Sequence, residues 1–434
     1  MTALADFATA LAAARAAPDA LASTARAAVA AIGPSGGPFK SFIAVAAAPA
    51  PDPARTGDAL LGCLFSVKDN IDAVGYRTTC GSRIFAEAPA AQADSWIVAA
   101  LKATGATLIG KNNMHEFALG ATGVNPVFGD TLNPRDPTRN VGGSSGGSAN
   151  AVAMREVHLA IGTDSGGSVR MPAAFTGITG YKPSSGLLPM TGVAGESWTM
   201  DALGLFTQDA ADARTVMQAI VAMPEPAPAT RMRIGYLADD SMGRVEPVVW
   251  DAYMGAIERL RRQEDVALTP ISLRGFDVCP EVCISIVYPE VASAHYELMR
   301  QRPAEYDQHI RALIALGELW SSRNYLDAQR LRTVIRRRMA AAMAPFDAVI
   351  TPTVPIQPPM AGVPAHVTGD DPDQSLYTLI RFTVVFNVTG HPAISIPAGD
   401  DRDGLPFGLQ IAGHPQGDAA LLDIATRLQA AAAA

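Results

Sequence analysis

The sequence predicts an α/β protein of one large domain, with a central mixed, twisted β-sheet covered by helices on both faces. Short apolar runs typical of buried strands alternate with segments of helical periodicity along most of the chain. Hydrophobic residues make up 48% of the 434 residues and charged residues only 18%, so the chain can bury a large core. Because neither an internal repeat nor a linker is evident, we expect residues 1–434 to form a single domain.

The first part of the chain predicts helices, then strands, then a long loop. Residues 3–31 predict one or two alanine-rich helices split near Pro18, and residues 34–58 predict a loop. Buried strands are predicted at 60–67, 106–109 and 157–161, and the helical spacing of 94–104 predicts a helix capped by Asp94. The stretch 120–147 is rich in glycine and proline, which predicts a long ordered loop, and such loops are usually functional.

The remainder of the chain continues the alternation. Two or three long helices are predicted within 288–344, broken near Pro303 and around Trp320. The proline-rich stretch 352–373 predicts a surface loop. The other predicted elements are helices at 209–223, 246–263 and 418–428 and strands at 232–237, 348–351, 393–396 and 407–411.

Composition and charge exclude several classes of protein. The net charge is −8 and no basic cluster suits a nucleic-acid surface, so we expect no nucleic-acid partner. No run of 18 or more apolar residues occurs, and charged residues interrupt the alanine-rich amino terminus, so we expect neither a membrane span nor a signal peptide. The four cysteines do not form a disulfide framework, which favours the reducing cytoplasm.

Two glycine-serine segments carry the strongest chemical signal. They are residues 142–148 (GGSSGGS) and 164–170 (DSGGSVR), and they place Ser144 and Ser168 within a short distance along the chain. Glycine before a serine lets backbone N–H groups approach a substrate oxygen closely, and successive N–H groups can form an anion-binding nest. Glycine-serine runs are also common flexible loops, so the pattern alone leaves both interpretations open. A phosphate loop is not favoured, because no GxxxxGK[ST] pattern occurs.

Together with residues 66–70 (SVKDN), these two segments give the chain a close resemblance to the amidase signature family of serine hydrolases. Further motifs of that family are matched at 110–117 (GKNNMHEF), 181–184 (YKPS), 351–353 (TPT), 386–390 (FNVTG) and 408–411 (GLQI). The resemblance extends from about residue 60 to residue 430. It implies the amidase signature fold, with residues 1–58 as amino-terminal helices and loop, 60–210 as the catalytic core, and 211–434 as the rest of the sheet and the helices of the substrate pocket.

The resemblance also implies a Ser-Ser-Lys triad. Ser168 would be the nucleophile, Ser144 the proton relay, preceded by a cis peptide bond from Gly143, and Lys68 the base. The oxyanion would be held by the backbone N–H groups of Ser165, Gly166, Gly167 and Ser168. As supporting residues, Asp164 and Arg170 would form an ion pair and Ser145 would orient the catalytic hydroxyls. No metal and no cofactor are required.

The chemistry demands an unusual lysine. A free lysine has a pKa of about 10.4 and is charged at neutral pH, so Lys68 can act as a base only where burial disfavours its charge. Lowering the pKa by about three units corresponds to roughly 4 kcal/mol. Because Lys68 ends the apolar run 60–67, the sequence makes such burial reasonable.

The expected function is hydrolysis of a carbon-nitrogen bond in a small-molecule amide through an acyl-enzyme. Alternatives on the same triad are a urea, carbamate or ester hydrolase, and the A-type glutaminase component of a tRNA-dependent amidotransferase, which needs partner subunits. A non-catalytic binding protein is disfavoured because the triad residues are intact. Residues 142–146 also fit G-x-S-x-G, but the loop before them lacks the strand that a Ser-His-Asp esterase requires. The oligomeric state stays open, with a homodimer as one option.

The substrate pocket is the least determined part. Family pockets are built from variable segments, here 120–130, 187–200 and 288–325. Arg300, Arg323 and Arg381 are the candidates for binding a substrate carboxylate. Six large apolar side chains in these segments could either line an apolar, aromatic pocket or belong to the core, and they are Met190, Trp198, Met200, Tyr288, Trp320 and Tyr325.

Overall fold

A computed structural model describes residues 3–33, 36–52, 55–224, 231–362 and 375–432. Within these residues a single mixed sheet of eleven strands is flanked by helices. Its strands are β1 (Phe42–Val45), β2 (Leu64–Lys68), β3 (Thr107–Asn112), β4 (Leu159–Thr163), β5 (Thr179–Lys182), β6 (Leu203–Thr207), β7 (Met232–Leu237), β8 (Val266–Ile271), β9 (Ala348–Pro352), β10 (Ala393–Asp400) and β11 (Pro406–Ala412).

The helices range from one turn to six turns. They are α1 (Phe7–Ala16), α2 (Leu21–Ile32), α3 (Trp96–Ala103), α4 (Gly146–Ala153), α5 (Arg170–Thr176), α6 (Ala210–Ile220), α7 (Pro247–Arg261), α8 (Cys279–Gln301), α9 (Gln308–Glu318), α10 (Ser322–Met343), α11 (Leu376–Ile380), α12 (Val384–Thr389) and α13 (Asp418–Ala432). None of the helices in the described residues has the length and hydropathy that crossing a membrane requires.

Strand order across the sheet is β1-β3-β2-β4-β6-β5-β10-β11-β9-β7-β8. Strands β3, β2 and β4 are mutually parallel, as are β9, β7 and β8, and the strands between these two groups pair antiparallel. Most strands are buried along their whole length, which is why they read as continuous apolar runs in the sequence. The predicted α/β class and single mixed sheet are therefore confirmed.

Several element predictions need correction. The predicted loop 34–58 contains strand β1, which pairs antiparallel with β3. The cap of α3 is Ser95, whose hydroxyl accepts from the N–H of Val98, whereas the predicted cap Asp94 binds the backbone of Val74 and the side chain of Lys102. Helix α8 begins nine residues earlier than predicted and continues through Pro289. The predicted loop 352–373 is free of helix and strand from 353 to 362, and its remainder lies outside the described residues.

Candidate active site

The candidate site lies where two parallel strands end. Strands β2 and β4 are neighbours, with Val67 opposite Ile161, so Lys68 and Thr163 emerge at the same edge of the sheet. The carboxyl edge of parallel strands is the usual place for ligand sites in α/β proteins. Helix α4 leads into β4, and the loop before α4 brings Ser144 to this edge.

The side chain of Lys68 is fully buried and forms hydrogen bonds with two hydroxyl groups. Its Nζ lies 2.7 Å from Oγ of Ser144 and 2.8 Å from Oγ1 of Thr163. Burial lowers the pKa of Lys68 to about 7, although the negative charges of Asp201 and Asp164 act in the opposite direction. A lysine in this state is partly unprotonated at neutral pH and can accept a proton from the hydroxyl that it contacts.

The backbone around Ser144 is unusual. The peptide bond between Gly143 and Ser144 is cis, as the resemblance implied. A side chain at Gly143 would collide with the backbone of Thr122, so only glycine fits there. The carbonyl of Ser144 accepts a hydrogen bond from the N–H of His115, in the predicted motif 110–117. These contacts hold the buried hydroxyl of Ser144 against Lys68.

Ser168 is half-buried and ends the loop that follows β4. The carboxylate of Asp164 organises this loop by accepting from the N–H groups of Gly167, at 2.8 Å, and Val169, at 3.1 Å. Gly167 has φ +133°, a conformation that side chains disfavour, and a Cβ there would meet the side chain of Thr383.

The expected oxyanion donors need one correction. Because the N–H of Gly167 is bonded to Asp164, it is not free to bind a substrate oxygen. Among the described residues, no acceptor lies within hydrogen-bond distance of the N–H groups of Ser165, Gly166 and Ser168. The candidate anion-binding donors are therefore these three groups, rather than four in succession.

The expected ion pair between Asp164 and Arg170 is present and fully buried, with Nη2 of Arg170 2.8 Å from Oδ1 of Asp164. Burial alone would raise the pKa of Asp164, but Arg170 and the amide of Asn387 hold it at about 2. Arg170 also donates to Oδ1 of Asn387, Oε1 of Gln410 and the carbonyl of Thr383. Two of the predicted carboxyl-terminal motifs thus meet at this arginine.

The hydroxyl of Ser145 takes a different partner from the expected one. It donates to the carbonyl of Thr163 at 3.2 Å, and the N–H of Thr163 lies 3.4 Å from it. Its support therefore reaches Lys68 through Thr163 and not directly through the hydroxyls of Ser144 or Ser168. Nearby, Ser165 donates to Oδ1 of Asp201 at 2.5 Å, which fixes the side chain of the first residue in the nucleophile loop.

A small apolar cavity of about 80 Å³ opens beside Ser168. None of the residues that line it within the described chain carries a charged side chain. Its walls come from the loop 118–121, the nucleophile loop and helices α5, α8, α9 and α11, and they include Leu119, Met171, Ile284, Val287, Leu313 and Ile380.

The predicted pocket residues divide among several places. Of the six large apolar candidates, only Tyr288 lines the cavity beside Ser168. Met200 belongs to the core and Met190 packs against it, whereas Trp198, Trp320 and Tyr325 surround a different cavity. None of the three candidate arginines lines the cavity beside Ser168: Arg300 lies on Tyr296, Arg323 pairs with Asp327, and Arg381 donates to the carbonyl of Arg244.

Sequence reasoning missed Thr163 and Asp201. Thr163 comes two residues after the predicted strand 157–161, so its position just past the strand end was the available signal. Asp201 lies 36 residues from Ser165 in a segment without a motif, and nothing in the sequence indicated their contact.

Comparison with known proteins identifies the family of the chain. Residues 41–422 match the family described as Amidase. The A subunit of glutamyl-tRNA(Gln) amidotransferase from Thermosynechococcus vestitus is 33% identical over 413 residues, which cover 84% of this chain and 83% of that protein. Fatty acid amide hydrolase of Arabidopsis thaliana is 33% identical over 393 residues, covering 85% of this chain and 64% of that protein.

A solved structure described as an amidase superposes with a TM-score of 0.85 at 28% sequence identity, covering 98% of this chain and 99% of that one. Because the family match spans most of the chain, the protein belongs to the amidase signature family of amide hydrolases.

Proposed function

We propose that the chain hydrolyses the carbon-nitrogen bond of a small-molecule amide through an acyl-enzyme on Ser168. The observation that carries this proposal is the contact between Lys68 and Ser144, in which a fully buried amine with a pKa of about 7 lies 2.7 Å from a serine hydroxyl. A serine becomes a competent nucleophile only when a neighbouring group takes its proton. In the proposed relay Lys68 is the base, and Ser144 passes to it the proton of Ser168. The described structure contains the contact between Lys68 and Ser144 but no hydrogen bond between the hydroxyls of Ser144 and Ser168, so the approach of these two hydroxyls is part of the proposal.

The proposed cycle is a proton relay. As the Ser168 oxygen attacks the substrate carbonyl, its proton passes to Ser144 while Ser144 gives its own proton to Lys68. The N–H groups of Ser165, Gly166 and Ser168 bind the oxygen on which negative charge develops, and such donors typically provide a large part of the acceleration. The tetrahedral intermediate collapses when the proton returns to the leaving nitrogen, and the amine departs. Water then attacks the acyl group by the same relay and releases the acid.

The cavity beside Ser168 supports an amide with a short apolar acyl group. A cavity of about 150 Å³ is enough for a benzene ring, and this cavity holds about half of that. Its uncharged walls offer no partner for the ammonium and carboxylate groups of glutamine, and unpaired charges are costly to bury. The cavity therefore favours a small-molecule amidase over the amidotransferase glutaminase. Because the chain is similar to the A subunit of an amidotransferase, the glutaminase is tested as the alternative function.

Two further expectations remain part of the proposal. All four cysteines lie buried as free thiols, which supports a reducing compartment such as the cytoplasm. The chain alone is proposed to be active, as a monomer or homodimer, and to need no other protein.

Hydrolysis by the purified chain tests this function. The substrates are butyramide, benzamide, an anilide, a urea, a carbamate, an ester and glutamine, and Ser168→Ala is assayed beside Ser66→Ala. Ser66 is a matched control because it is buried near Lys68 and its hydroxyl has no hydrogen-bond partner in the described structure.

We expect the unaltered chain to hydrolyse butyramide, Ser168→Ala to lose this activity and Ser66→Ala to retain it. If glutamine is the only substrate that is hydrolysed, the amidotransferase glutaminase is favoured. If the urea, the carbamate or the ester is the preferred substrate, a hydrolase of that class is favoured. Turnover that survives in Ser168→Ala would contradict the proposal.

A further inference from the structure

A second cavity, of about 470 Å³, lies between the loop 195–198, the middle of α8 and the start of α10. Three aromatic side chains line it: Trp198, Trp320 and Tyr325. Two glutamates, Glu196 and Glu290, line it as well, whereas no lysine or arginine does so in the described structure. It shares no lining residue with the cavity beside Ser168.

Glu196 lines this cavity, and one of its two carboxylate oxygens has a hydrogen-bond partner. The side chain is only 9% exposed, and its Oε2 lies 2.7 Å from Nε2 of His295. The bond to His295 is the one hydrogen bond of this carboxylate among the described residues, and it leaves Oε1 without a partner there. Nδ1 of His295 lies 2.8 Å from the hydroxyl of Tyr306. Burial raises the pKa of Glu196, and the hydrogen bond from His295 acts in the opposite direction.

Glu290 is held in place by several donors. Its carboxylate accepts hydrogen bonds from the hydroxyls of Ser197, Thr199 and Tyr325. Arg332 is close enough to interact with this charge, but its guanidinium donates to the carbonyls of Thr199 and Val388. Glu290 therefore contributes a carboxylate to the wall that is held by hydroxyl groups and makes no direct ion pair within the described residues.

We propose that this cavity binds an organic cation, a primary or quaternary ammonium group. Aromatic faces attract such cations through their quadrupoles, and a carboxylate supplies the opposite charge. Trp198 is 82% exposed and the neighbouring Ser293 and Ala294 are exposed, so a ligand can enter from solvent. The aromatic lining and the nearly buried carboxylates of Glu196 and Glu290 distinguish it from an ordinary acidic surface.

The cation site adjoins the proposed active site. Tyr288 of α8 lines the cavity beside Ser168, and the next two residues of the same helix line the cation cavity. Asp201 accepts from Ser165 with one oxygen and from the N–H groups of Glu196 and Ser197 with the other. The cation is therefore either the amine part of an amide substrate or a separate ligand.

Choline is the probe, compared with its neutral carbon isostere 3,3-dimethylbutan-1-ol. Binding to the full chain is followed by tryptophan fluorescence and calorimetry, because two of the four tryptophans line the cavity. We expect saturable choline binding that is at least about tenfold tighter than binding of the alcohol. Glu196→Gln should weaken choline binding by about tenfold, and Trp198→Ala by about fivefold.

The matched control is Glu297→Gln, which removes the same charge from an exposed position on α8 outside the cavity. It should bind choline like the unaltered chain. Equal binding of choline and the alcohol, unchanged binding in Glu196→Gln, or no saturable choline binding would each overturn the proposal. Because these readouts are of binding, they are independent of whether amide hydrolysis is found. Once an amide substrate is known, choline can be tested as an inhibitor of its hydrolysis. Competitive inhibition would show that the cation is part of the substrate. Choline binding that does not raise the KM of the substrate would show that the cation is a separate ligand.

Discussion

Asn387 lies against Arg170, 217 residues earlier in the chain, with its Oδ1 2.6 Å from Nη2 of the arginine. The amide of Asn387 also donates to Oδ1 of Asp164. Since Asp164 in turn holds the N–H groups of the nucleophile loop, one amide from α12 braces both members of the buried ion pair.

Replacement of this amide should destabilise the protein and distort the loop. Asn387→Ala removes one hydrogen bond from Nη2 of Arg170, one from Oδ1 of Asp164 and the donor to the backbone carbonyl of Asp164, all of them buried, so we expect the free energy of unfolding to fall by about 1–3 kcal/mol. Urea denaturation measures the change. Asn324→Ala, at an exposed position near the start of α10, is the control and should change stability by less than about 0.5–1 kcal/mol. Equal effects in both variants would show that Asn387 does not brace the ion pair.

The pH dependence of hydrolysis should report the titration of Lys68. Its folded-state pKa is about 7, below the usual value of a lysine, and only the neutral amine can act as a base. We therefore expect kcat/KM to rise with pH through about pH 7 and to level off above it. Lys182 is also fully buried, with a pKa of about 7, so Lys182→Met is the control and should retain the acid limb. A profile that is flat between about pH 5 and 9 would contradict the assignment of Lys68 as base.

Thr163 is predicted to position Lys68. Thr163→Val removes the hydroxyl 2.8 Å from Nζ while keeping the shape of the side chain, so kcat should fall by about tenfold or more with little change in KM. Thr179→Val is the matched control, because the hydroxyl of Thr179 is buried without a partner in the described structure. Steady-state kinetics measure kcat and KM for both variants. A similar fall in kcat in both would show that the substitutions perturb the sheet in general, and would contradict a specific role of Thr163.

Acyl-group size should follow the volume of the cavity beside Ser168. Ile284→Ala enlarges that cavity, so the preference for benzoyl over butyryl amides, as a ratio of kcat/KM values, should rise by about tenfold or more. Ile286→Ala makes the same change on the same helix, at a buried position outside the cavity. Both variants should lose about 2–5 kcal/mol of stability, whereas only the first should change the preference. If the ratio of kcat/KM values is unchanged in Ile284→Ala, the cavity beside Ser168 does not bind the acyl group.

The sequence predicted the strands that read as apolar runs and most of the helices, because local periodicity reports burial directly. Strand β7 has the predicted bounds. Strands β5 and β6 were missed because each is short and carries a glycine, and β8 was missed because it is half-exposed and contains Pro270. The start of α8 was placed too late, although a proline usually interrupts a helix and α8 continues through Pro289.

The candidate site was also predicted only in part. Lys68, Ser144 and Ser168 were predicted because the short motifs that contain them resemble those of the amidase signature family, and the structure brings Lys68 and Ser144 into contact. The use of the Gly167 N–H by Asp164 and the two cavities could not be predicted. They depend on contacts between segments far apart in the chain, which periodicity and motifs do not encode.

The most direct test of the central claim is mass spectrometry of the protein quenched during turnover of a butyryl amide. The account predicts a butyryl adduct on the peptide that contains Ser168, formed by the unaltered chain and by Ser66→Ala. The adduct should be absent in Ser168→Ala and should form far more slowly in Lys68→Met. Turnover accompanied by an adduct on a residue other than Ser168, or turnover that persists in Ser168→Ala, would contradict the claim.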